Sequence, residues 1–131
     1  MSTKLVRGRI LYCRIGPRGD YKDRPVVVLG NAQQDDNGAF RVVAGTTDFS
    51  KPIADNELYL PSIPYPKRHP YTRLCRETVV ACDWIVRIQE TDILDYGGFL
   101  PDSTYWDLRM KMQEIFGTDD PDATVTHVPR S

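Results

Sequence analysis

Cationic and aromatic side chains are concentrated in residues 63–73, IPYPKRHPYTR. Proteins bind single-stranded nucleic acid with this combination, because cations pair with phosphates and bases stack on aromatic rings. The prolines would hold the segment extended, which lowers the entropy lost on binding. A solvent-exposed basic loop whose tyrosines partly cover the core has the same composition, and both interpretations stay open. The candidate ligand-contacting residues are Lys67, Arg68, His69, Tyr71 and Arg73.

A second candidate for contact with phosphate is Arg24, which directly precedes Pro25 and the apolar run VVVL. Proline disfavours helical backbone at the preceding residue, and we expect Arg24 to lie at the rim of a sheet. Its guanidinium always carries its charge and offers a planar fork of donors that matches a phosphate. Thr46 and Thr47 follow the next apolar run, where strand alternation lets only one of the two hydroxyls face Arg24. A solvated arginine and two ordinary strand threonines are the alternative.

The net charge of −1 is an average over two halves of opposite sign. Residues 1–82 carry 13 basic and 8 acidic side chains, a net +5, whereas residues 83–131 carry 4 and 10, a net −6. The basic side chains of the first half would attract a polyanion if the fold brings them together. Ordinary solvent-facing strand residues would give the same count. Arg18 and Lys22 belong to this basic half and are further candidate contacts of a polyanion.

Length and composition narrow the fold class. A chain of 131 residues normally forms one domain with a self-sufficient core. Nine glycines and ten prolines favour many short elements and argue against an all-helical fold. No apolar run approaches the ~18 residues of a membrane span, and the start MSTKLVRGRI lacks a secretory signal, so we expect a cytoplasmic protein. Cys13, Cys75 and Cys82 form no C-x-x-C pair, which indicates small core or strand residues rather than disulfides or a zinc site.

Hydrophobic periodicity predicts about five short strands followed by one helix. The run PVVVLG is the clearest strand, since it is apolar, β-branched and bounded by Pro25 and Gly30. The predicted strands cover residues 9–15, 25–30, 39–47, 57–60 and 76–88. Short connections make them mostly antiparallel, with the second and third as a hairpin. The pattern predicts a mainly β (α+β) domain, with a strongly curved sheet or partly open barrel covered by a helix.

The C-terminal region combines a helix with a polar tail. The helix is predicted from about Ser103 to Phe116, with Ser103 or Thr104 as N-cap and Gly117 as the stop. Residues 91–100, TDILDYGGFL, indicate a short turn or helical stretch that the two glycines end. Residues 118–131 are predicted to be a flexible acidic tail that follows a single domain at residues 1–117.

Five motifs occur in an order that resembles the MazF/PemK-like toxins of bacterial toxin-antitoxin pairs. They are Gly8 with Ile10, RPVVVL at 24–29, VVAGTT at 42–47, VVACD at 79–83 and GGFLPDSTYWDLRMKMQEIFG at 97–117. The resemblance covers about residues 7–116. It implies an SH3-like β-barrel, usually paired as a homodimer, in the bacterial cytoplasm.

The resemblance also implies a metal-independent endoribonuclease that needs no cofactor. In such toxins the ribose 2′-hydroxyl attacks the adjacent phosphorus of single-stranded RNA, and a cognate antitoxin protein neutralises the activity. Related barrels instead bind and poison DNA gyrase. The alternatives are therefore a non-enzymatic growth inhibitor or adaptor that binds a protein, and a catalytically degenerate RNA-binding relative.

By the same resemblance, Arg24 would stabilise charge on phosphate oxygens, and Thr46 would donate to a phosphate oxygen or position the ribose. Asp83 corresponds to an acidic residue that some family members use near the scissile phosphate, which makes it a candidate catalytic base. An ordinary aspartate at a strand end is the alternative. The candidate RNA-binding residues are Arg18, Lys22, Thr47, Lys67, Arg68, His69, Tyr71 and Arg73.

Two regions depart from the family pattern. Ala81 stands where some relatives carry an arginine. Arg18, Gly19 and Asp20 stand where relatives often carry histidine or glutamate. The identity of the acid–base pair therefore stays open, and Asp20 or Asp23 could replace Asp83 as the base.

Overall fold

The computed structural model describes residues 5–16, 22–30, 34 and 38–127. Its elements are β1 (Arg9–Ile15), β2 (Lys22–Val28), β3 (Phe40–Thr46), β4 (Glu57–Leu60), β5 (Thr78–Ile88), β6 (Ile93–Phe99), α1 (Asp102–Phe116) and β7 (Val125–Thr126). A 3₁₀ turn, Glu90–Asp92, joins β5 to β6. The five predicted strands and the helix are confirmed, with ends shifted by at most three residues.

The strands form one sheet in the order β4-β5-β3-β2-β1-β6, and β7 pairs in parallel with β5. The neighbours along this order are all antiparallel, as the short connections predict. β2 is flanked by β1 and β3, which confirms the central strand expected from the run PVVVLG. The strands that precede and follow β2 in the sequence therefore also flank it in the sheet. Arg24 and Thr46 both lie on the hairpin that β2 forms with β3.

The loop from β4 to β5 reaches across to the opposite edge of the sheet. The amides of Gly98 and Phe99 in β6 donate to the carbonyls of Thr72 at 3.2 Å and Tyr71 at 2.8 Å. A Cβ atom at Gly98 would lie 2.0 Å from the Tyr71 carbonyl oxygen, so this approach requires glycine. The sheet is therefore strongly curved without closing through strand pairing, which confirms the predicted partly open barrel.

Two apolar cores lie on the two faces of the sheet, because alternate residues of a strand face opposite sides. The core on the helix side contains Val27, Val43, Ile85, Leu108 and Met112, all fully buried or nearly so. The opposite core contains Leu11, Val26, Val28, Phe40 and Val42.

The cysteines fit this arrangement. Cys82 belongs to the core on the helix side and Cys13 to the opposite core, as expected from the sequence, whereas Cys75 is partly exposed. Burial raises the pKa of both core thiols to about 12. Each of the two cores therefore contains one thiol that stays protonated at neutral pH.

The helix ends as predicted but begins differently. Gly117 has a φ of 74° and its amide donates to the carbonyl of Gln113 at 2.9 Å, which confirms the glycine stop. The predicted N-cap at Ser103 or Thr104 is wrong, because Pro101 occupies the N-cap position and the helix starts at Asp102. In the parts of the chain described above, no helix is both long and apolar enough to cross a membrane.

Residues 93–99 form a strand, where the sequence predicts a turn or helical stretch. β6 pairs with β1, and Gly97 packs against Ile10 and Tyr12 of that strand. The glycines therefore permit close packing across the sheet instead of ending a helix. Because β1 precedes β6 by about eighty residues, a local pattern cannot indicate the pairing.

Residues 118–127 also differ from their prediction, which is a flexible tail. They run beside α1 and β5, and Val125 and Thr126 pair with β5 as β7. Carboxylates of this segment bind arginines of β3 and α1, which is a stabilisation that its own polar composition does not reveal. The end of the predicted tail, residues 128–131, lies outside the described residues.

Candidate functional site

Arg24 and Thr46 lie on neighbouring strands at the end of the hairpin remote from its connecting loop. β2 and β3 are antiparallel and pair from Val28 opposite Val42 to Val26 opposite Ala44. Arg24 and Thr46 each lie two residues beyond the last pair, on the face of Val26 and Ala44 because side chains alternate along a strand. Lys22 Nζ lies 3.9 Å from Asp48 Oδ2, so side chains from both strands also meet beyond the paired residues. The fold therefore brings Arg24, Thr46 and Lys22 to the same end of the hairpin.

Contacts from two other strands hold the Arg24 side chain. Its Nε donates to the carbonyl of Ile15 at 3.1 Å, and its guanidinium carbon lies 5.3 Å from the ring centre of Trp84. The residue is only 9% exposed, because its side chain packs against this indole. These contacts orient the plane of the guanidinium, on which bidentate phosphate binding depends.

The two threonines occupy different environments. Thr46 Oγ1 accepts from the amide of Asp48 at 3.0 Å and donates to the Asp48 carbonyl at 3.2 Å, which forms a tight turn after β3. Thr47 is exposed and follows directly on Thr46. Of the two hydroxyls, that of Thr46 shares the face of Arg24.

Asp83 and Trp84 lie in an irregular part of β5. The register between β3 and β5 shifts in the middle of the pair, and the extra residues of β5 form a bulge. Asp83 is exposed, and its Oδ1 accepts from Asn56 Nδ2 at 2.8 Å. The bulge thus turns the indole of Trp84 towards Arg24 while the adjacent carboxylate faces solvent.

The other candidates for the catalytic base are placed as follows. Asp23 is exposed, and its Oδ1 lies 3.2 Å from Arg14 Nε. Asp20 and Arg18 lie outside the described residues. Ala81 lies in the part of β5 that pairs with β4.

The basic loop predicted to bind RNA is largely exposed. Lys67, Arg68, Tyr71 and Arg73 all face solvent. His69 is partly buried, and its Nδ1 accepts from the amides of Tyr71 at 3.2 Å and Thr72 at 3.3 Å. The rings of His69 and Tyr71 lie 5.9 Å apart. The loop therefore presents cations together with two exposed tyrosine rings, those of Tyr65 and Tyr71.

This loop and Arg24 lie at different ends of β6. The loop bonds to Gly98 and Phe99, whereas Arg24 lies opposite Cys13 of β1, which pairs with Ile93. At ~3.3 Å per residue, the two ends of β6 are on the order of 20 Å apart. The part of the loop that binds β6 is therefore remote from Arg24, whereas the loop begins after Leu60 and ends before Thr78, next to Val79, the partner of Thr46.

Sequence reasoning missed the residues that orient Arg24. From the sequence, Trp84 is one apolar residue within the predicted strand 76–88, and a backbone carbonyl such as that of Ile15 has no sequence signal. An indole beside an aspartate at a strand end is the one available hint, because arginine stacks on tryptophan faces. Across the described ranges, no three His, Cys, Asp or Glu side chains come together in a metal-binding group.

Residues 6–116 match the sequence profile of the PemK-like, MazF-like toxins of type II toxin-antitoxin systems. The chain belongs to this family. The resemblance noted from the five motifs is thereby confirmed, with almost the same bounds. No curated protein sequence is significantly similar to the chain.

Solved structures share the fold. MazF from Deinococcus radiodurans has a TM-score of 0.67 and 16% identity, over 89% of this chain and 100% of that chain. MazF in the MazE-MazF complex from the same organism has a TM-score of 0.65 and 16% identity, over 88% and 98%. An endoribonuclease in complex with its cognate antitoxin, from a mycobacterial species, has a TM-score of 0.63 and 17% identity, over 86% and 94%.

Proposed function

We propose that this MazF-like toxin cleaves single-stranded RNA at the Arg24 end of the β2–β3 hairpin. The observation that carries the proposal is an arginine held by the Ile15 carbonyl and the Trp84 indole at the end of the hairpin where Thr46 also lies. An oriented guanidinium beside a hydroxyl supplies the donors that a phosphate needs as its charge increases. Membership in the toxin family, and a fold shared with a mycobacterial endoribonuclease, add to the argument.

In the proposed reaction the ribose 2′-oxygen attacks the adjacent phosphorus, and the bond from phosphorus to the 5′-oxygen breaks. The products are a cyclic phosphate and a 5′-hydroxyl. Arg24 stabilises the charge on the non-bridging oxygens. Thr46 orients the ribose, or donates to a phosphate oxygen by exchanging its hydrogen bond to the Asp48 carbonyl. Asp83 is the candidate base from the sequence, but its carboxylate binds Asn56 and faces solvent, so the acceptor of the 2′-proton is not assigned to a residue. Water takes the 2′-proton or relays it, and water supplies the proton that the departing 5′-oxygen gains.

The flanking nucleotides would contact cations on either side of Arg24. Lys22 and Thr47 lie at the same end of the hairpin, and Arg18 belongs to the connection just before it. Lys67, Arg68, His69, Tyr71 and Arg73 would bind bases and phosphates further along the strand. A separation on the order of 20 Å along β6 corresponds to several nucleotides, so the proposal predicts a preference for oligonucleotides over dinucleotides.

The test is cleavage of a mixed-sequence single-stranded RNA by the purified protein in the presence of EDTA. We expect discrete fragments with 5′-hydroxyl ends. Arg24→Ala should lower the rate by at least ~100-fold, since one lost donor to the developing charge is worth about 3 kcal/mol. Arg24→Lys keeps the charge but loses the planar pair of donors, so its rate should lie between those of wild type and Arg24→Ala.

The matched control for Arg24→Ala is Arg14→Ala. Arg14 is an exposed arginine of β1 whose Nε lies 3.2 Å from Asp23, and its loss should change the rate less than about twofold. Thermal unfolding followed by circular dichroism separates a lost site from a lost fold. Cleavage that is undiminished in a folded Arg24→Ala variant would place the reaction elsewhere.

The burial of Arg24 favours a second candidate function. A guanidinium that is 9% exposed and packed on Trp84 also suits a purely structural role. In that case the toxin would act without cleavage, by binding a protein such as DNA gyrase. This alternative predicts intact RNA together with a partner retained in a pull-down, and failure to retain any partner counts against it.

The proposal includes a cognate antitoxin and a homodimer. MazF of D. radiodurans has been solved with MazE, and the mycobacterial endoribonuclease with its antitoxin. A groove that binds several nucleotides is longer than one small domain readily supplies, which favours pairing of two copies. Light scattering at micromolar concentration should give the mass of a dimer, and a monomer would remove this part of the proposal.

A further inference from the structure

The segment that follows α1, residues 118–127, binds two arginines of the domain. Asp119 accepts from Arg109 of α1, with Nε to Oδ2 at 3.1 Å. Asp120 pairs with Arg41 of β3, with Nη2 to Oδ1 at 2.6 Å, and Arg41 also donates to the carbonyl of Pro121. Consecutive carboxylates in the bend that follows α1 thus bind guanidiniums that belong to two different elements.

The same segment extends the sheet along β5. β4 pairs with β5 only as far as Ala81, and beyond the bulge β5 receives β7 instead. The amide of Thr124 donates to the carbonyl of Ile85 at 2.7 Å, and the Ile85 amide donates to Thr124 Oγ1 at 3.1 Å. The amide of His127 donates to the carbonyl of Arg87 at 3.0 Å. The end of the segment, residues 124–127, is therefore bound as a short added strand, held by backbone hydrogen bonds and by the Thr124 hydroxyl.

A cavity of about 260 Å³ lies beside the two ion pairs. Its wall includes Arg7, Arg41, Arg109 and Tyr105, together with Asp119 and Asp120. Arg7 adds a third guanidinium to the two that already bind carboxylates. The site therefore has room and charge for a ligand with more acidic groups than the segment itself offers.

The segment lies outside the part of the chain that defines the family. The family match covers residues 6–116, so residues 118–127 lie beyond it. The domain and its arginines thus form a unit to which the acidic segment is an addition.

We propose that the edge of β5 with Arg41 and Arg109, called here the β5 groove, is a docking site for an extended acidic peptide of a partner protein. Residues 118–127 occupy the β5 groove in cis until the partner displaces them. A peptide fits better than a nucleic acid, because amides and carbonyls of a strand edge bind another backbone, whereas a phosphodiester chain has no amide donors. The inference stands whether or not the toxin cleaves RNA.

The test measures binding of a fluorescent peptide, TDDPDATVTH, that copies residues 118–127. The full chain is used as wild type and as the variant D119N/D120N, whose own segment is held less tightly. The apparent affinity for the peptide is the affinity of the open groove multiplied by the fraction of molecules whose own segment has left it. Because more molecules of the variant have an open groove, the variant should bind the peptide about tenfold more tightly than wild type. The single variant D120N should give an intermediate affinity.

Two controls identify the groove. A peptide with asparagine in place of all three aspartates should bind at least about tenfold more weakly, and so should D119N/D120N protein that also carries R41Q and R109Q. Asp107→Asn, on the exposed side of α1, should leave peptide affinity at the wild-type value. Hydrogen exchange checks the fold, since the Thr124 and His127 amides should exchange faster in D119N/D120N while the Phe99 amide stays protected.

Equal peptide affinity for wild type and D119N/D120N, or no binding to either, would overturn the proposal. Displacement of the bound peptide by single-stranded RNA, with the same dependence on Arg41 and Arg109, would also overturn it and assign the groove to nucleic acid. The proposal is supported if peptide binding weakens as NaCl is raised from 50 to 500 mM and if RNA does not displace the peptide.

Discussion

Arginines are held at two places in this fold by partners of different kinds. Arg24 contacts the carbonyl of Ile15 and the indole of Trp84, inside the curved sheet. Arg41 and Arg109 contact carboxylates of the C-terminal segment, at the surface. The first pair of contacts orients a guanidinium, whereas the second pair neutralises two.

The difference shows what each place can do with an anionic ligand. Neither a carbonyl nor an indole can leave the fold, so the Arg24 contacts remain when a phosphate arrives. The carboxylates belong to a terminal segment, and an anion that replaces them exchanges one charge-assisted pair for another. Substitutions of the partners, rather than of the arginines, therefore separate the two places most clearly.

Among substitutions of the residues that contact these arginines, Trp84→Ala is expected to have the largest effect. Trp84 packs on the core and on Arg24, so its loss should lower the free energy of unfolding by about 3 kcal/mol and RNA cleavage by at least about tenfold. Trp106→Ala removes the indole on which Arg109 stacks, but that ring is 57% exposed and the loss should be below about 1 kcal/mol.

Urea unfolding and RNA cleavage rates of the two variants give the comparison. Trp84→Phe, which keeps a ring face, should retain most of the activity. Equal losses of stability in Trp84→Ala and Trp106→Ala would show that the two arginine environments do not differ in the way described.

The buried thiols give a pH-dependent measure of the same two regions. Cys13 lies opposite Arg24, and Cys82 lies in the core against which Ala123 of the C-terminal segment packs. Burial raises the pKa of each thiol from 9.0 to about 12, so between these values the unfolded chain loses a proton that the native protein keeps. Stability should therefore fall as pH rises from 9 to 12, by about 1 kcal/mol per thiol at pH 10.

Urea unfolding at pH 8 and pH 10 tests this prediction, with Cys13→Ala and Cys82→Ala each expected to remove part of the decrease. Iodoacetamide at pH 8 should modify Cys75 readily, since that residue is partly exposed, and the two core thiols only after unfolding. Rapid modification of Cys82 in the native protein would show that the segment over its core opens freely.

The smallest effect is expected from D119N/D120N. Its ion pairs are partly exposed, so the free energy of unfolding should fall by only about 1 kcal/mol. Raising NaCl to 1 M should weaken the wild type towards the variant, because salt screens such pairs. Asp107→Asn is the control, because its free energy of unfolding should equal that of the wild type at both salt concentrations. A loss of several kcal/mol would mean that the segment belongs to the core of the domain.

Patterns of short range predicted most of the fold. The central strand between Pro25 and Gly30 and the helix stop at Gly117 follow from residue types alone. The hairpin that this strand forms with β3 brings Arg24 and Thr46 to the same end of the sheet. For the same reason the candidate site could be located from the sequence as a region.

Interactions between distant residues could not be predicted in this way. β6 depends on pairing with β1, and the position of Trp84 depends on a bulge that arises where β3 and β5 lose register. The C-terminal segment looks disordered by composition, since its stabilising partners, Arg41 and Arg109, lie outside it. Each of these features is a property of two segments and is absent from either one alone.

The chain contains two tryptophans, and each has one of these guanidiniums against its ring: Arg24 on Trp84 and Arg109 on Trp106. The emission of an indole is sensitive to a cation held over its face. Intrinsic fluorescence of the two single-tryptophan forms, Trp84→Phe and Trp106→Phe, therefore reports separately on the peptide groove and on the RNA site. The protein carries its own pair of optical labels, one for each anionic ligand.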